Sequence, residues 1–580
     1  MSGFYGDRLS AAKEMVEGGP IDYLTGDYLA ELTMAILYKA QARRPELGYA
    51  RTFLKQMEGI MGTCLDKGIK VVVNAGGLNP SGLAVALKEV AKTLKVHPKI
   101  AYVEGDNLMP RLATLQKKGV KITHLEKDIT LAKYGLPPVS ANAYLGCWGI
   151  VEALKEGADI VVTGRVADAS VVMGPAAYHF GWKRNSWDQL AGVAMAGHII
   201  ECSGQAVGGN YSHFEEVPTF KNMGFPIAEV FEDGSSVITK HPDTGGIINV
   251  GTVTAQLLYE VNSPAYITPD VVAHIDTLTI EQAAKDRVSI TGTKGTPATK
   301  SAKVTVNCMG GFQNEMTLHI AGLDIDEKVA IFKKSFLEAV GGKKAFDHLE
   351  FQYLKSHKID PTHNEEAFAH LRINVVDRDP KKAGKLFTGA IVEMALCSIP
   401  GFCMSKAPSP ASPRIVNFPA LIDKKHLLQT VDVDGHKIQV KEVIPRGKAL
   451  SIKKKKPKYN HQFSKKTKKI FLGRLFAARS GDKGGNANLG VYGKTPASYL
   501  FLKEFLTVKK LKELLPDTAP FKIVRYDFPN LLGLNFYLIG FLGDGVAAKT
   551  KMDGQAKTLG EYLRAKVIDV PTDLIKQLNY

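Results

Sequence analysis

Over the first 270 residues the chain alternates short apolar runs with stretches of helical spacing. Ile69–Asn74 (Ile-Lys-Val-Val-Val-Asn), Ile100–Val103 and Asp159–Thr163 are β-branched runs bounded by polar or glycine turns, and each reads as a buried strand. Between them, apolar residues recurring every three or four positions predict helices at Ser10–Glu17, at Asp27–Arg43, up to Leu94, at Ala143–Lys155, from about Ala169, and at Ala191–Cys202. In the second of these, Leu29, Leu32, Thr33, Ile36 and Leu37 share one face. Asp27 or Thr25 is placed to cap it, and Glu31 is either functional or simply exposed. Strand–helix alternation predicts parallel strands joined by right-handed crossovers, hence an α/β fold with a doubly wound, mostly parallel N-terminal sheet.

Beyond Trp187 the spacing changes. Gly224–Val230 and Ser236–Lys240, joined by Glu232-Asp233-Gly234-Ser235, read as a hairpin. Val271–Glu281 and Lys303–His319 read as extended, and Leu371–Val376 as a strand before a helix at Lys381–Ser398, which together predict an α+β lobe. Pro400–Pro419 reads as a loop or inter-lobe strap, with Lys406 on its surface. The expected division is an α/β domain at 1–445 (sheet core about 1–270, lobe about 271–445), a basic linker at 446–469, and a small C-terminal α+β sandwich at 470–580. In that last piece, strands at Lys469–Ala478, Ala487–Tyr492, Phe521–Tyr526 and Phe536–Leu542 accompany helices at Ala497–Thr507 and Thr558–Lys566.

Composition narrows the class. With 580 residues and 45% apolar content, the chain has material for roughly two to four domains. Its six cysteines form no CxxC pair and no zinc-type spacing, which points to buried thiols in a reducing compartment and away from a structural metal. No apolar run reaches the roughly 18 residues that span a bilayer. Met1–Arg8 lacks a signal-peptide core, so a cytoplasmic address is expected. Of the net charge of +17, Lys441–Lys469 carries 12 Lys/Arg against one Glu. Its clusters at Lys453–Lys458 and Lys465–Lys469 read as a solvated linker, or as an import address or acidic-lipid patch. They lack interleaved aromatics, so no nucleic-acid partner is expected.

The candidate chemistry lies at strand ends. Open α/β sheets bind ligands at the carboxyl edge, where Asn74, Glu104, Asp106, Arg165 and Asp168 would gather. Gly76, Gly77, Asn79 and Ser81 lead into a helix whose free N–H groups suit an anion; the alternative is a tight βα turn capped by Ser81. Likewise, Asp168 and Arg165 are either site residues or the N-cap and ion-pair partner of an ordinary turn. Glu201 with Gly208, Gly209 and Asn210 forms a glycine-dense loop suited to wrapping a ligand, and Lys240 leads into another anion loop at His241–Gly246. A GxSxG elbow, an HExxH pair and a GxGxxG fingerprint are all absent from the sequence.

Several motifs together resemble a known family. Gly3-Phe4-Tyr5-Gly6-Asp7-Arg8, Gly164-Arg165-Val166-Ala167-Asp168, Glu201-Cys202 with Gly208-Gly209-Asn210, Lys240 with Thr244-Gly245-Gly246, and Gln256-Leu257-Leu258-Tyr259-Glu260 resemble the acyclic terpene utilisation AtuA family over most of residues 2–430. Ala478–Gly490, with Arg479, Ser480, Asp482, Lys483 and Asn486, resembles the small AtuA-like domain that accompanies it. Relatives usually place a strand before the Gly-Phe-x-Gly-Asp loop, so here the first strand is expected to be truncated. The resemblance implies catabolism of citronellol- or geraniol-type terpenes through branched acyl-CoA thioesters. The expected activity is a lyase or hydratase acting on a branched 3-hydroxyacyl-CoA. In it Asp168 or Glu201 would move a proton, Arg165 would hold a carboxylate or enolate oxygen, and the C-terminal loop would hold an acidic CoA tail or carboxylate. Asp482 paired with Lys483 or Arg479 in a structural turn is the alternative for that loop. Coenzyme A enters as part of the substrate, no cofactor is assigned, and a divalent ion on Asp and Glu residues stays open. A homo-oligomer or contacts with pathway enzymes fit equally, and a non-catalytic binding or scaffold protein of the same pathway is the competing class.

Overall fold

The computed structural model describes residues 1–442, 444–445, 452, 457–548 and 550–577. The central sheet is built from β1 (Tyr23–Gly26), β2 (Lys70–Val73), β3 (Ile100–Glu104) and β4 (Ile160–Thr163) in the spatial order β1-β2-β4-β3, all parallel, with the hairpin Leu428–Val433/His436–Lys441 added antiparallel beside β3. The runs are continuously apolar because both faces are covered. Val72, Ala101, Val103 and Val161 enter one core with the helices Trp148–Lys155, Ser170–His179 and Trp187–Ile200. Val71, Val73, Ile160 and Val162 enter the other with the helices Ala11–Glu17, Arg51–Asp66 and Pro80–Leu94. Each such valine contributes roughly 1.5–3 kcal/mol on leaving water.

The sheet edge next to β2 is occupied by β1, a strand the pattern did not single out. The Gly3–Arg8 loop is supported from elsewhere: Gly3 N and Ser203 Oγ both donate to Asp7 Oδ2, at 3.0 and 2.7 Å.

Two expected elements before the C-terminal unit take a different form. The segment from Ala143 does not open a helix. Pro138–Ala143 is a strand antiparallel to Ser301–Ala321, and the helix begins at Trp148. Pro400–Pro419 is not a loop throughout, since Ser412–Asp423 pairs along the same long strand. Its prolines suggested a break, but Ile415, Val416, Phe418, Ala420 and Ile422 are all buried, and an edge strand tolerates residues without an N–H. Ser301–Ala321 therefore binds the lobe to the region beside the parallel sheet.

The C-terminal unit is a four-stranded antiparallel sheet in the order Phe476–Lys483, Asn486–Gly493, Gly533–Ile539, Lys522–Phe528. Its helices Pro496–Phe505, Val508–Leu514 and Leu559–Arg564 supply a separate core. Lys469–Ala478 is not one strand: Thr467–Phe471 pairs with Val567–Pro571, and a turn intervenes. Tyr459 and Phe463 also pack on this core, so the second basic cluster belongs to the folded unit, not to a linker. Lys453–Lys456 lies outside the described residues. Of the cysteines, Cys64, Cys147 and Cys308 are buried and Cys202 half-buried, whereas Cys397 and Cys403 are exposed, contrary to the expectation for all six.

Candidate functional site

The carboxyl ends of β1 and β4 open toward a cavity of about 750 Å³. Its floor holds Asp27, just after β1, and Arg165 and Asp168, just after β4; Glu201 enters from the end of the helix Trp187–Ile200. Carboxylate oxygens of Asp27, Asp168 and Glu201 all lie within 4.8 Å of one another. Lys303 from the long strand, Glu260 from the turn after the helix Val250–Leu257, and Asp482, Lys483 and Lys557 from the C-terminal unit also line it. A larger recess of about 980 Å³ lies between Gly310–Phe312 and Phe541–Asp544, but the carboxylate cluster is not in it.

Each carboxylate on the floor is held from behind. Asn74 donates from Nδ2 to Asp27 Oδ1 at 2.5 Å and accepts from Tyr28 N at 2.7 Å, which fixes the chain leaving β1. Arg165 donates from Nη1 to Asp168 Oδ1 at 2.7 Å, and its guanidinium stacks 4.1 Å over the Tyr144 ring. His198 faces Glu201 Oε1 at 3.1 Å. Burial, then the nearby Lys483, lowers His198 to about 4, so near pH 7 the ring is neutral. Glu201 Oε2 is buried without a protein hydrogen bond.

The electrostatics follow from crowding. Burial pushes the Asp27 and Glu201 carboxyls well above the usual range, and the Asp168 charge adds to this. Burial also pushes Asp482 up to about 7, with Glu260 and Glu31 adding to it. Glu31 goes the other way. Burial alone would raise it, but Lys303, which donates to its Oε1 at 2.9 Å, and Arg165 outweigh that and hold it well below the ordinary value. Burial likewise opposes the Arg165 charge, but Asp168, Tyr144, Asp27 and Glu31 hold it firmly protonated.

Residues 1–433 match the family model described as acyclic terpene utilisation family protein AtuA, and residues 470–569 match the AtuA ferredoxin-like domain. The chain belongs to the acyclic terpene utilisation AtuA family. No curated protein and no solved structure matched it. The family's two pieces meet at the cavity. Asn488 donates from Nδ2 to Leu258 O at 2.6 Å and accepts from Glu260 N at 2.8 Å, so the ferredoxin-like sheet grips the turn that carries Tyr259 and Glu260. Among the described residues, no helix is long and apolar enough to cross a membrane.

Of the residues expected in the site, the cavity lining includes Arg165, Asp168, Glu201, Gly209, Asn210, Asp482 and Lys483. Asn74 lies behind Asp27. Asp106 also supports from behind, accepting from Arg165 N at 2.9 Å and Asn142 Nδ2 at 2.7 Å. The others lie outside the lining, for local reasons. Gly76 is closed in by the chain itself, since a Cβ there would sit 2.5 Å from Thr163 O, and Gly77 packs on Leu37 and Gly48. Asn79, not Ser81, caps the following helix, accepting from Gly82 N at 2.9 Å. Glu104 ends β3 opposite Thr430, and Gly208 ends the short turn Ser203–Val207 with φ 98°. Lys240 is engaged by Thr244 O at 2.8 Å. Ser480 accepts from Gly560 N at 2.9 Å, and Arg479 lies 4.2 Å over the Tyr259 ring. These last two sit in a strand, because the expected loop is a hairpin whose turn falls at Gly484-Gly485.

Several site residues were not among those expected. The pattern offers Asp27 or Thr25 as the helix cap, yet the helix Glu31–Arg43 has its N-cap at Ala30. A polar residue directly after a short strand was the signal for it. Lys303, Tyr144 and Lys557 carried no local signal, whereas Glu260 closes the Gln256–Glu260 motif.

Proposed function

We propose that the chain is an enzyme of acyclic terpene catabolism that moves a proton beside the thioester carbonyl of a branched acyl-CoA, as a lyase or hydratase of a 3-hydroxyacyl-CoA does. The observation that carries this reading is one cavity with carboxylates on its floor and Lys303, Lys483 and Lys557 around it. Its volume falls within the range of small-molecule sites. Asp168 and Glu201 are the proton carriers. Arg165 fixes Asp168, and the lysines hold the carboxylate or the developing enolate oxygen, whose negative charge is greatest in the transition state.

The scaffold reading makes the ferredoxin-like unit a docking module. Against it stands the position of Asp482, Lys483 and Lys557 from that unit inside the same cavity as Asp168. Thermal shift with branched and straight acyl-CoAs separates the two. The enzyme reading expects stabilisation that Lys483→Met and Lys557→Met diminish; no shift with any acyl-CoA supports the scaffold.

A further inference from the structure

Asp27, Asp168 and Glu201 are organised as more than three neighbouring acids. Their supporting bonds all engage one oxygen of each group: Asn74 Nδ2 to Asp27 Oδ1, Arg165 Nη1 to Asp168 Oδ1, and His198 Nδ1 to Glu201 Oε1. The remaining oxygen of Glu201 is the informative one. Glu201 is 7% exposed and lines the cavity, yet its Oε2 has no protein hydrogen-bond partner. A buried carboxylate oxygen left without a donor costs free energy, and native structures rarely retain one without a ligand to meet it.

Crowding agrees. The three carboxyl groups share one floor, and of the three the Arg165 guanidinium pairs with Asp168. Lys303, on the cavity wall, is paired with Glu31.

We propose that Asp27, Asp168 and Glu201 form a site for one divalent cation of the magnesium–manganese class. The donor set decides the class: all three ligands are carboxylate oxygens, and the adjacent histidine is engaged by Glu201, so the site offers hard oxygen ligands without thiolate or imidazole. The arrangement of an outer histidine, asparagine and arginine, each fixing one ligand, is that of outer-shell partners that orient metal-binding groups. Three protein ligands leave coordination positions facing the cavity, where a thioester or carboxylate oxygen of the substrate fits and is polarised by the ion. The inference deepens the proposed acyl-CoA reading but does not need it, because the ion is detected without substrate.

The test is a titration of chelator-treated, full-length protein with Mn²⁺, followed by the loss of the free-ion electron paramagnetic resonance signal, with Mg²⁺ as competitor. The expected result is one Mn²⁺ per chain, displaced by Mg²⁺, with affinity lowered at least about tenfold in Glu201→Gln and Asp168→Asn. Circular dichroism checks that each variant folds. Glu201→Asp, which keeps the charge but withdraws the oxygen, serves if Glu201→Gln does not fold, and is expected to lose affinity as well. Absence of bound Mn²⁺ in the parent protein, or equal affinity in folded variants, overturns the proposal. Bound Mn²⁺ with no response to any acyl-CoA removes only the substrate reading.

Discussion

Arg165 donates to Asp168 at 2.7 Å from a guanidinium that is itself stacked 4.1 Å over Tyr144. This makes it the cation that allows several carboxylates to share a buried floor. Arg165→Met keeps much of the side-chain volume but leaves Asp168 without its partner and the cluster without its nearest positive charge. The expected cost is about 3–5 kcal/mol, read as a lower urea midpoint at unchanged slope. A loss under about 1 kcal/mol contradicts the role given to Arg165.

Gly481 faces Tyr259 so closely that an added Cβ would sit 2.3 Å from the ring. Tyr259 is buried at the junction of the family's two pieces, where Lys557 donates to its hydroxyl at 2.5 Å. Gly481→Ala is expected to cost about 1–3 kcal/mol by overpacking. It should also displace Glu260 and Lys557 at the cavity, visible as a weaker acyl-CoA thermal shift. An unchanged melting temperature contradicts the close packing.

The buried His213 ring gives a pH dependence of stability. Burial, then Lys494 and Arg564, lowers it to about 4, while Glu216 and Glu215 pull it upward. Tyr211 packs edge-on at 5.8 Å, and Glu561 is paired with Arg564. The unfolded chain takes up this proton near pH 6.5, so the contribution of neutral His213 is complete above that pH and is lost as pH falls toward 4. Between pH 7 and 5 the loss is on the order of 2 kcal/mol. Urea unfolding at the two pH values should show it in the parent protein and less of it in His213→Asn. The same loss in both removes His213 as the cause.

Lys483 tests whether the ferredoxin-like unit handles substrate. Lys483→Met is expected to raise KM for the acyl-CoA about tenfold or more while shifting the melting temperature little, since the group lies at the cavity wall. A fall in kcat with KM unchanged assigns it to the chemical step instead.

Much of the α/β core was legible in sequence because residues such as Val71, Val72 and Val73 are buried on both sheet faces and form an unbroken run. The sheet-edge loops were legible for the same reason: a run that stops at Thr163 leaves Arg165 and Asp168 at a carboxyl end. The site itself was only partly legible. Lys303 meets Glu31 across 272 positions, through a strand pairing that no local pattern encodes. Glycines were ambiguous in a different way. Gly76 is required by the oxygen of Thr163, a neighbour in the fold, and sequence alone does not distinguish that from a glycine required by a ligand. Tyr23–Gly26 was too short and too polar to reveal itself as a strand, which hid Asp27 in an apparent helix cap.

The central claim is that this cavity moves a proton beside a thioester carbonyl. Its most direct measurement is incubation of the protein with branched acyl-CoAs in deuterated water, followed by mass spectrometry of the recovered thioester or product. The account predicts deuterium at the carbon next to the carbonyl, slowed at least about a hundredfold by Asp168→Asn. No deuterium in any branched acyl-CoA, or exchange within a few-fold of the parent in Asp168→Asn, contradicts it.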